Sequence, residues 1–584
     1  MSKMICNPLN LEYRYQVKKS PLNTACYREA ADPTMVVYKD KYLLFASMSG
    51  GFWHSEDLVG WIYKATPELP VYDYAPDVHV LGDKVVFCAS NRDHKCGIYV
   101  SNDPLHEPFT LVSQPLKFWD PAIFQDDDGR VYLYWGCSTR EPIWGIELDA
   151  ETLNPIGKKT AIIHEQEAVH GWERVGENNK LEAPKTFGDK LIRFALGTKP
   201  CIEGAFMAKY NGLYYMQYAT PYTQHNVYSN GVYVGKSPLG PFTYQSHNPF
   251  SSKPGGFITA AGHGSTFRDH QGRWWHAATM RISVNDDYER RVGLFPCDFD
   301  KDGVLYCNQN FADYPMELDR ADRMIADPEW MLLSYKTKVE TSSAQQGFEG
   351  TNAADENIRT WWAAETGSHE EWLIMDLGKE HAVHSVQINF ADHKLIVPDL
   401  KKSEMVKENI GYRKIYLEKQ KTCYVLECSS DKENWTVLWD NHSENTDYAH
   451  DFIVLPEVRK MRYLRLRSMS VPMGGAIAVS GLRVFGKGDG TLPDAVASVN
   501  VKKQGDLNLL LSWQKADGAI GYNVRYGIAP DKLYSSWQVY EQSSLDIGMI
   551  NKDTDYYLAV DSFNENGITP GNVIFVAGKK GVGK

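Results

Sequence analysis

No stretch of this chain reaches the 18 or more consecutive apolar residues of a transmembrane helix, so a helical membrane span is excluded. Nor is there a surplus of positive charge: 74 acidic against 62 basic side chains leave a formal charge of −12. Nucleic acids and anionic membranes are bound through basic patches, and the balance argues against both as partners. The ten cysteines include no Cys-x-x-Cys pair and no zinc-ligand spacing, which predicts free, buried thiols. No apolar secretory core follows Met1. That predicts a protein whose signal peptide has been removed (secreted, periplasmic or surface-anchored) or else a cytoplasmic one. On the first reading Cys6 is close enough to the start to be the lipidated cysteine of a trimmed lipoprotein.

What is abundant is the aromatic side chain: 16 Trp and 34 Tyr in 584 residues. Aromatics favour β structure and supply surfaces on which sugars stack. The length fits two to four domains, each with its own core. One stretch organises the first half. Phe118-Trp-Asp-Pro-Ala-Ile-Phe-Gln-Asp-Asp-Asp-Gly-Arg-Val-Tyr-Leu-Tyr-Trp-Gly136 reads as a β-hairpin, with Asp128-Gly129 as its tight turn. The hairpin recurs. Asp32 precedes Tyr42 by 10 residues, Asp77 precedes Phe87 by 10 and Asp120 precedes Tyr132 by 12. Glu203 precedes Tyr214 by 11, and His263 precedes Trp274 by 11. A supersecondary unit repeated at about 40–50 residues is a propeller signature, and five copies predict five blades.

Placed at the start of each innermost strand, Asp32, Asp77, Asp120, Glu203 and His263 would all face one axial funnel. Single carboxylates are usually solvated, and Asp before Pro also opens turns. The turn reading covers Asp32 and Asp120 but not Glu203. Carboxylates clustered on an axis push their pKa values apart, which lets an acid and a base coexist at neutral pH.

At these residues the chain resembles glycoside hydrolase family 43, over roughly residues 7–320. The motifs are Ala31-Asp-Pro-Thr34, Ser55-Glu-Asp-Leu-Val-Gly-Trp61, Ala75-Pro-Asp77, Asp120-Pro121 with Asp127-Asp-Gly129, Glu203-Gly-Ala205 with Asn211-Gly-Leu-Tyr-Tyr215, and Gly262-His-Gly264. The resemblance implies a five-bladed propeller and inverting hydrolysis of glycosidic bonds. It implies Asp32 as general base, Asp120 as pKa modulator and Glu203 as general acid. Ala205 stands where the family commonly has Pro, and Glu182 in Glu-Ala-Pro184 is the rival acid. It further implies substrate contacts from Phe52 or Trp53, Asp77, Trp119, His263 and Arg291, with Arg290 competing for the last role. The long stretch 137–202, with His164, His170, Trp172, Glu173 and Arg174, is expected to shape the substrate site, as is Tyr222-Thr-Gln-His-Asn226.

Beyond a linker at 321–337 the texture changes. Ala353-Ala-Asp355, Thr360-Trp-Trp362, Trp372 to Gly378, Tyr424 to Asp431, Arg462 to Arg465 and Ser480 to Gly486 resemble, in that order, a discoidin or factor 5/8 type C domain over 338–487. Such a jelly-roll sandwich implies carbohydrate binding or a structural role, and a structural calcium near Asp355 and Thr360. The Lys- and Glu-rich insertion at 393–420 departs from that pattern and is expected to cover or replace the binding loops. Residues 488–584 resemble a fibronectin type III sandwich, with Leu509 to Trp513, Gly521 to Tyr526 and Tyr556 to Val560 as strands.

The fold expected is therefore all-β: a propeller over 1–320 followed by two sandwiches. The function expected is an exo-acting inverting glycoside hydrolase that releases a terminal pentose, α-L-arabinofuranose first, from plant cell-wall glycans. β-Xylosidase and β-D-galactofuranosidase use the same constellation, and a non-catalytic carbohydrate-binding propeller is the alternative of another class. The partner is an oligo- or polysaccharide, and no cofactor is required for catalysis.

Overall fold

A computed structural model describes residues 3–578 apart from 22, 71–73, 91–94, 185–197, 398, 409–410 and 445. Among the described residues there are β-strands and short 3-10 turns and no α-helix. Five antiparallel groups of four strands follow one another. Blade 1 comprises Ala31–Tyr38, Lys41–Ser47, Gly51–Ser55 and Ile62–Ala65. Blade 2 runs from Tyr74–Leu81 to Thr110–Leu111, and blade 3 from Ala122–Gln125 to Pro155–Ile163. Blade 4 runs from Glu203–Tyr210 to Phe242–Tyr244, and blade 5 from Thr259–Arg268 to Leu305–Cys307. The first strand of each blade touches the first strand of the next, and that of blade 5 touches that of blade 1, which closes the ring.

Each blade is covered on both faces by its neighbours, so both sets of alternating side chains are apolar. Phe52 lies between blades 1 and 2 with Phe45, Phe87 and Phe109, while Trp53 on the opposite face packs with Trp61, Trp275 and Leu294. Both are 0% exposed. They are core aromatics and are not available to stack on a sugar, which corrects the expectation for this pair.

The inner strands begin with a repeated irregularity. Register shifts fall between Ala31 and Thr34, Tyr74 and Asp77, Glu203 and Phe206, and Gly262 and Ser265. At or beside each start one residue has left-handed backbone: Asp32, Ala75, Asp120, Gly204 and His263. Such bulges re-aim a side chain at the mouth of a barrel or propeller. Asp and Asn tolerate this conformation better than other non-glycine residues. In blade 2 the bulge residue is Ala75, so Asp77 sits two positions further on, at the equivalent of Thr34.

The start of the chain closes the propeller: Met4–Ile5 pairs with Met316–Glu317. Cys6 is buried there, its Sγ donating to the Asp313 carbonyl at 3.3 Å, so it is a core thiol and not an exposed anchor point. A hairpin, Arg14–Lys19 and Thr24–Glu29, then leaves the propeller and pairs with Gly411–Ile415, which in turn pairs with Val406–Glu408. The 393–420 insertion therefore reaches across to the propeller by adding strands to its N-terminal hairpin.

The rest of that second unit is one antiparallel sheet built on two long strands, Trp372–Phe390 and His450–Ser470, with Met331–Leu332 at one edge. The short strand of the linker thus belongs to this sheet. Asp355 Oδ2 accepts the Thr360 hydroxyl at 2.7 Å, and the Asn357 carbonyl accepts it at 2.9 Å. These are oxygen types that calcium takes, but three oxygens fall short of the six to eight it coordinates, and the neighbouring Glu356 is committed to Arg483. The last unit has two sheets, Val499–Lys503 with Leu509–Trp513 and Ser544–Ile547, and a second built on Gly521–Gly527 and Tyr556–Asn564.

The described part of 137–202 serves the third unit more than the funnel. Trp172 is buried under blade 4 and donates to Tyr244 Oη at 2.8 Å, and Glu173 accepts from Tyr218 at 2.6 Å. Arg174 Nη2 donates to Leu507 O at 3.2 Å, Asn508 Oδ1 at 2.9 Å and Gly548 O at 2.7 Å. Hydrogen bonds from a charged donor are each stronger than neutral ones. Arg174→Ala should weaken docking of the last unit by about 2 kcal/mol. Limited proteolysis should then release a fragment beginning near residue 490 earlier than in the wild type, and unchanged digestion would contradict this role.

Candidate active site

Asp32 occupies the bulge of blade 1 and is 3% exposed. Its backbone N–H donates to Thr279 Oγ1 at 2.7 Å, and its Oδ2 accepts the Ser47 hydroxyl at 2.7 Å. Arg290 Nη1 donates to Oδ1 at 3.1 Å, and His263 Nδ1 lies 3.4 Å from the same oxygen. Burial pushes this carboxyl up, but Arg290, then His263 and the two hydroxyls, outweigh it and hold it below the usual carboxylate range. Asp32 is therefore ionised at neutral pH.

Asp120 has the same left-handed backbone two residues before the first strand of blade 3, its N–H donating to Ser90 Oγ at 2.8 Å. Thr279, Ser47 and Ser90 form a repeating device, since each lies at or within two residues of the end of the second strand of one blade and receives the N–H of the left-handed residue of the next, Ser47 taking that of Ala75 at 2.7 Å. Gly136 and Ala219 stand at the same position in blades 3 and 4, so the side of the axis near Glu203 and His263 lacks these hydroxyls. The Asp120 carboxyl is pushed well above its ordinary value by burial first, then by the charges of Glu203 and Asp32; the Gly204 N–H and Arg290 oppose the shift. His263 Nδ1 is 3.8 Å from Asp120 Oδ2, which places the imidazole between the two aspartates.

Glu203 precedes the bulge residue of blade 4 by one position. Gly204 takes the left-handed place with φ +63°, and a Cβ there would lie 2.9 Å from the His263 ring. Glycine is required on both counts. The Glu203 Oε1 accepts the Tyr228 hydroxyl, and its Oε2 lies 3.2 Å from Cys137 Sγ. Glu182, the rival acid, is exposed.

The remaining expectations divide. Trp119 is partly buried and packs with Met48, Ala75, Tyr288 and Ile415, the last from the 393–420 insertion. Tyr222 donates to the Lys199 carbonyl at 3.0 Å and is close enough to Glu203 and Cys201 to feel their charge. Asp77 does not face the funnel. Its Oδ2 accepts the Ile123 N–H at 2.7 Å and its Oδ1 lies 3.4 Å from Thr34 Oγ1, so it clamps blades 1, 2 and 3 together, and burial pushes its carboxyl up to about 7. Arg291 is 1% exposed and faces the second unit: its Nε donates to His450 Nε2 at 2.7 Å and its Nη1 to the Arg28 carbonyl at 2.6 Å. Adjacent strand residues point to opposite faces, and it is Arg290 that reaches the axis.

Tyr228, Thr279, Ser47 and the two cysteines beside Glu203 were not foreseen. Nor was the support of Arg290, which also donates to Glu29 Oε1 at 2.7 Å. Glu29 Oε2 in turn lies 3.3 Å from Arg413 Nη1, on the insertion. A chain of charges thus runs from the second unit through Glu29 and Arg290 to Asp32.

A model of the family described as Glycosyl hydrolases family 43 matches residues 23–305. The chain is 30% identical over 266 residues to Xylosidase/arabinosidase 43A of Humicola insolens, covering 40% of this chain and 73% of that protein. It is 32% identical over 175 residues to a Xylosidase/arabinosidase of Bacteroides ovatus, covering 26% of this chain and 48% of that one. A solved structure titled Glycoside hydrolase aligns at 18% identity with a TM-score of 0.45, over 78% of this chain and 97% of the other.

Replacing Arg290 by Met removes the largest influence that lowers the Asp32 pKa. A carboxylate that works ionised loses activity as pH falls through its pKa, so raising that pKa moves the acidic limb of the kcat/KM profile to higher pH. We expect that shift together with a loss of about 10- to 100-fold at the optimum from the freed carboxylate. Arg290→Lys should fall between the two. An unmoved limb in Arg290→Met would show that Asp32 does not set it.

Proposed function

The chain belongs to glycosyl hydrolases family 43, and on that premise we propose that it removes single terminal pentoses, α-L-arabinofuranose first, from plant cell-wall glycans by single displacement with inversion. The observation that carries the reading is the opposed state of the carboxyls on one axis. Asp32 is held ionised by Arg290, whereas Asp120 is pushed well above its ordinary value by burial and then by the charges of Glu203 and Asp32. A base must be ionised before the reaction and an acid must be protonated, and unequal environments are how two carboxyls divide those roles.

In this reading Asp32 takes a proton from the attacking water and Glu203 gives one to the departing oxygen. Asp120 stands beside this pair in the modulator's place that the family resemblance implies. Tyr228 orients the Glu203 carboxyl, and His263 fixes Asp32 against Asp120. The base and acid come from blades 1 and 4, on different sides of the axis, which suits the gap of about 6.5–9.5 Å that admits a water. The two relatives named xylosidase/arabinosidase support a xylose- or arabinose-containing substrate and keep β-xylosidase as the second reading. We read 338–487 and 488–584 as discoidin-like and fibronectin type III-like modules that brace the propeller.

Glu203→Gln should lower turnover of natural oligosaccharides about 10²- to 10⁴-fold while nitrophenyl glycosides, which need little protonation, lose far less. Asp32→Asn should abolish both. Release from α-L-arabinofuranoside but not β-D-xyloside or β-D-galactofuranoside would identify the sugar. Equal losses on both leaving groups in Glu203→Gln would contradict the acid assignment.

A further inference from the structure

Two thiols 64 residues apart in the chain meet at the Glu203 carboxylate. Cys137 follows the second strand of blade 3, and Cys201 lies two residues before Glu203. Cys137 Sγ and Cys201 Sγ are 3.6 Å apart, Glu203 Oε2 is 3.2 Å from the first and 3.6 Å from the second, and each of the three atoms is a metal-ligand type. A tetrahedral cation with metal–sulfur bonds of about 2.3 Å and a metal–oxygen bond of about 2.1 Å would space its sulfurs about 3.8 Å apart and sulfur from oxygen about 3.6 Å. The three donors already stand near those separations.

Their surroundings favour a cation. Cys201 is buried and Cys137 half-buried. The ionisable side chains that act most on the two thiols are each other, Asp120 and Glu203, all of which carry negative charge when ionised. Two sulfurs and one oxygen select soft or borderline metals over calcium and magnesium, which take oxygen.

We propose that Cys137, Cys201 and Glu203 bind one thiophilic divalent cation, of the zinc or cadmium class, and that the bound cation silences hydrolysis by occupying the carboxylate that donates the proton. Binding releases the two thiol protons to solvent and forms two metal–sulfur bonds and one metal–oxygen bond. No electrons are transferred. The inhibitory part rests on the reading of Glu203 as the acid; the binding part does not.

The test is a titration of the full chain with Cd2+, following the thiolate-to-cadmium charge-transfer absorption and the hydrolysis of a natural oligosaccharide together. We expect one equivalent to bind with appearance of the band and loss of activity, both reversed by a chelator. Cys137→Ser and Cys201→Ser should each lose the band and need at least tenfold more cation for half-inhibition. Should Cys201→Ser fail to fold, Cys137→Ser at the half-buried position carries the test. The band and the inhibition persisting in Cys137→Ser, or no band in the wild type, would overturn the site. A band with full retained hydrolysis of an oligosaccharide would uphold the cation site and overturn the assignment of Glu203 as acid.

Discussion

The structure turns on the ion pair between Arg290 and Asp32. Moving a carboxylate out of water is costly, and the attraction of a partner offsets that cost only where the geometry is good and the remaining lone pairs are satisfied. Asp32 meets both conditions: Arg290 on Oδ1, Ser47 on Oδ2, and Thr279 on the backbone N–H. Arg290 needs holding too, and Glu29 does this, itself paired with Arg413 from the second unit. The buried Asp32 carboxylate is thus braced by a strand that the propeller does not contain, which ties the 393–420 insertion to the axis.

The propeller supplies the rest by repetition. One left-handed residue at or beside the start of each inner strand turns a side chain toward the axis, and the blades differ in what they place there. Aspartate in blades 1 and 3, Ala75 in blade 2, the Glu203-Gly204 pair in blade 4 and His263 in blade 5 make an asymmetric site from a symmetric scaffold. A hydroxyl from the preceding blade secures three of these left-handed residues. On the remaining side two thiols flank the acid, and that asymmetry is what makes the neighbourhood of Glu203 chemically unlike that of Asp32.

Much of this was legible in the chain itself. The five hairpins follow from alternating apolar strands, with Asp128-Gly129 and Asn211-Gly212 turns marking two of them, and Asp32 and Asp120 stood out because Asp-Pro recurs at the hairpin start. Asp77 was misplaced because its distance was counted from Phe87, whereas the bulge that sets the register sits at Ala75. Phe52 and Trp53 looked like sugar platforms because a strand pattern does not reveal that both faces of a blade are covered. Arg290 and Arg291 could not be told apart because the phase of alternation depends on which face meets the axis. Cys137 and Cys201 were hidden by their separation of 64 positions in the chain, since only the packing of blade 3 on blade 4 brings them together. The role of Arg413 was beyond reach for the same reason.

The central claim is that Asp32 and Glu203 act from opposite sides of the scissile bond, one on water and one on the leaving oxygen. The most direct measurement is the anomeric configuration of the first sugar released, followed by proton NMR before it mutarotates. The account predicts a product of inverted configuration from the wild type. A product that retains the configuration of the substrate would contradict it, because retention requires one of these carboxylates to bond covalently to the sugar.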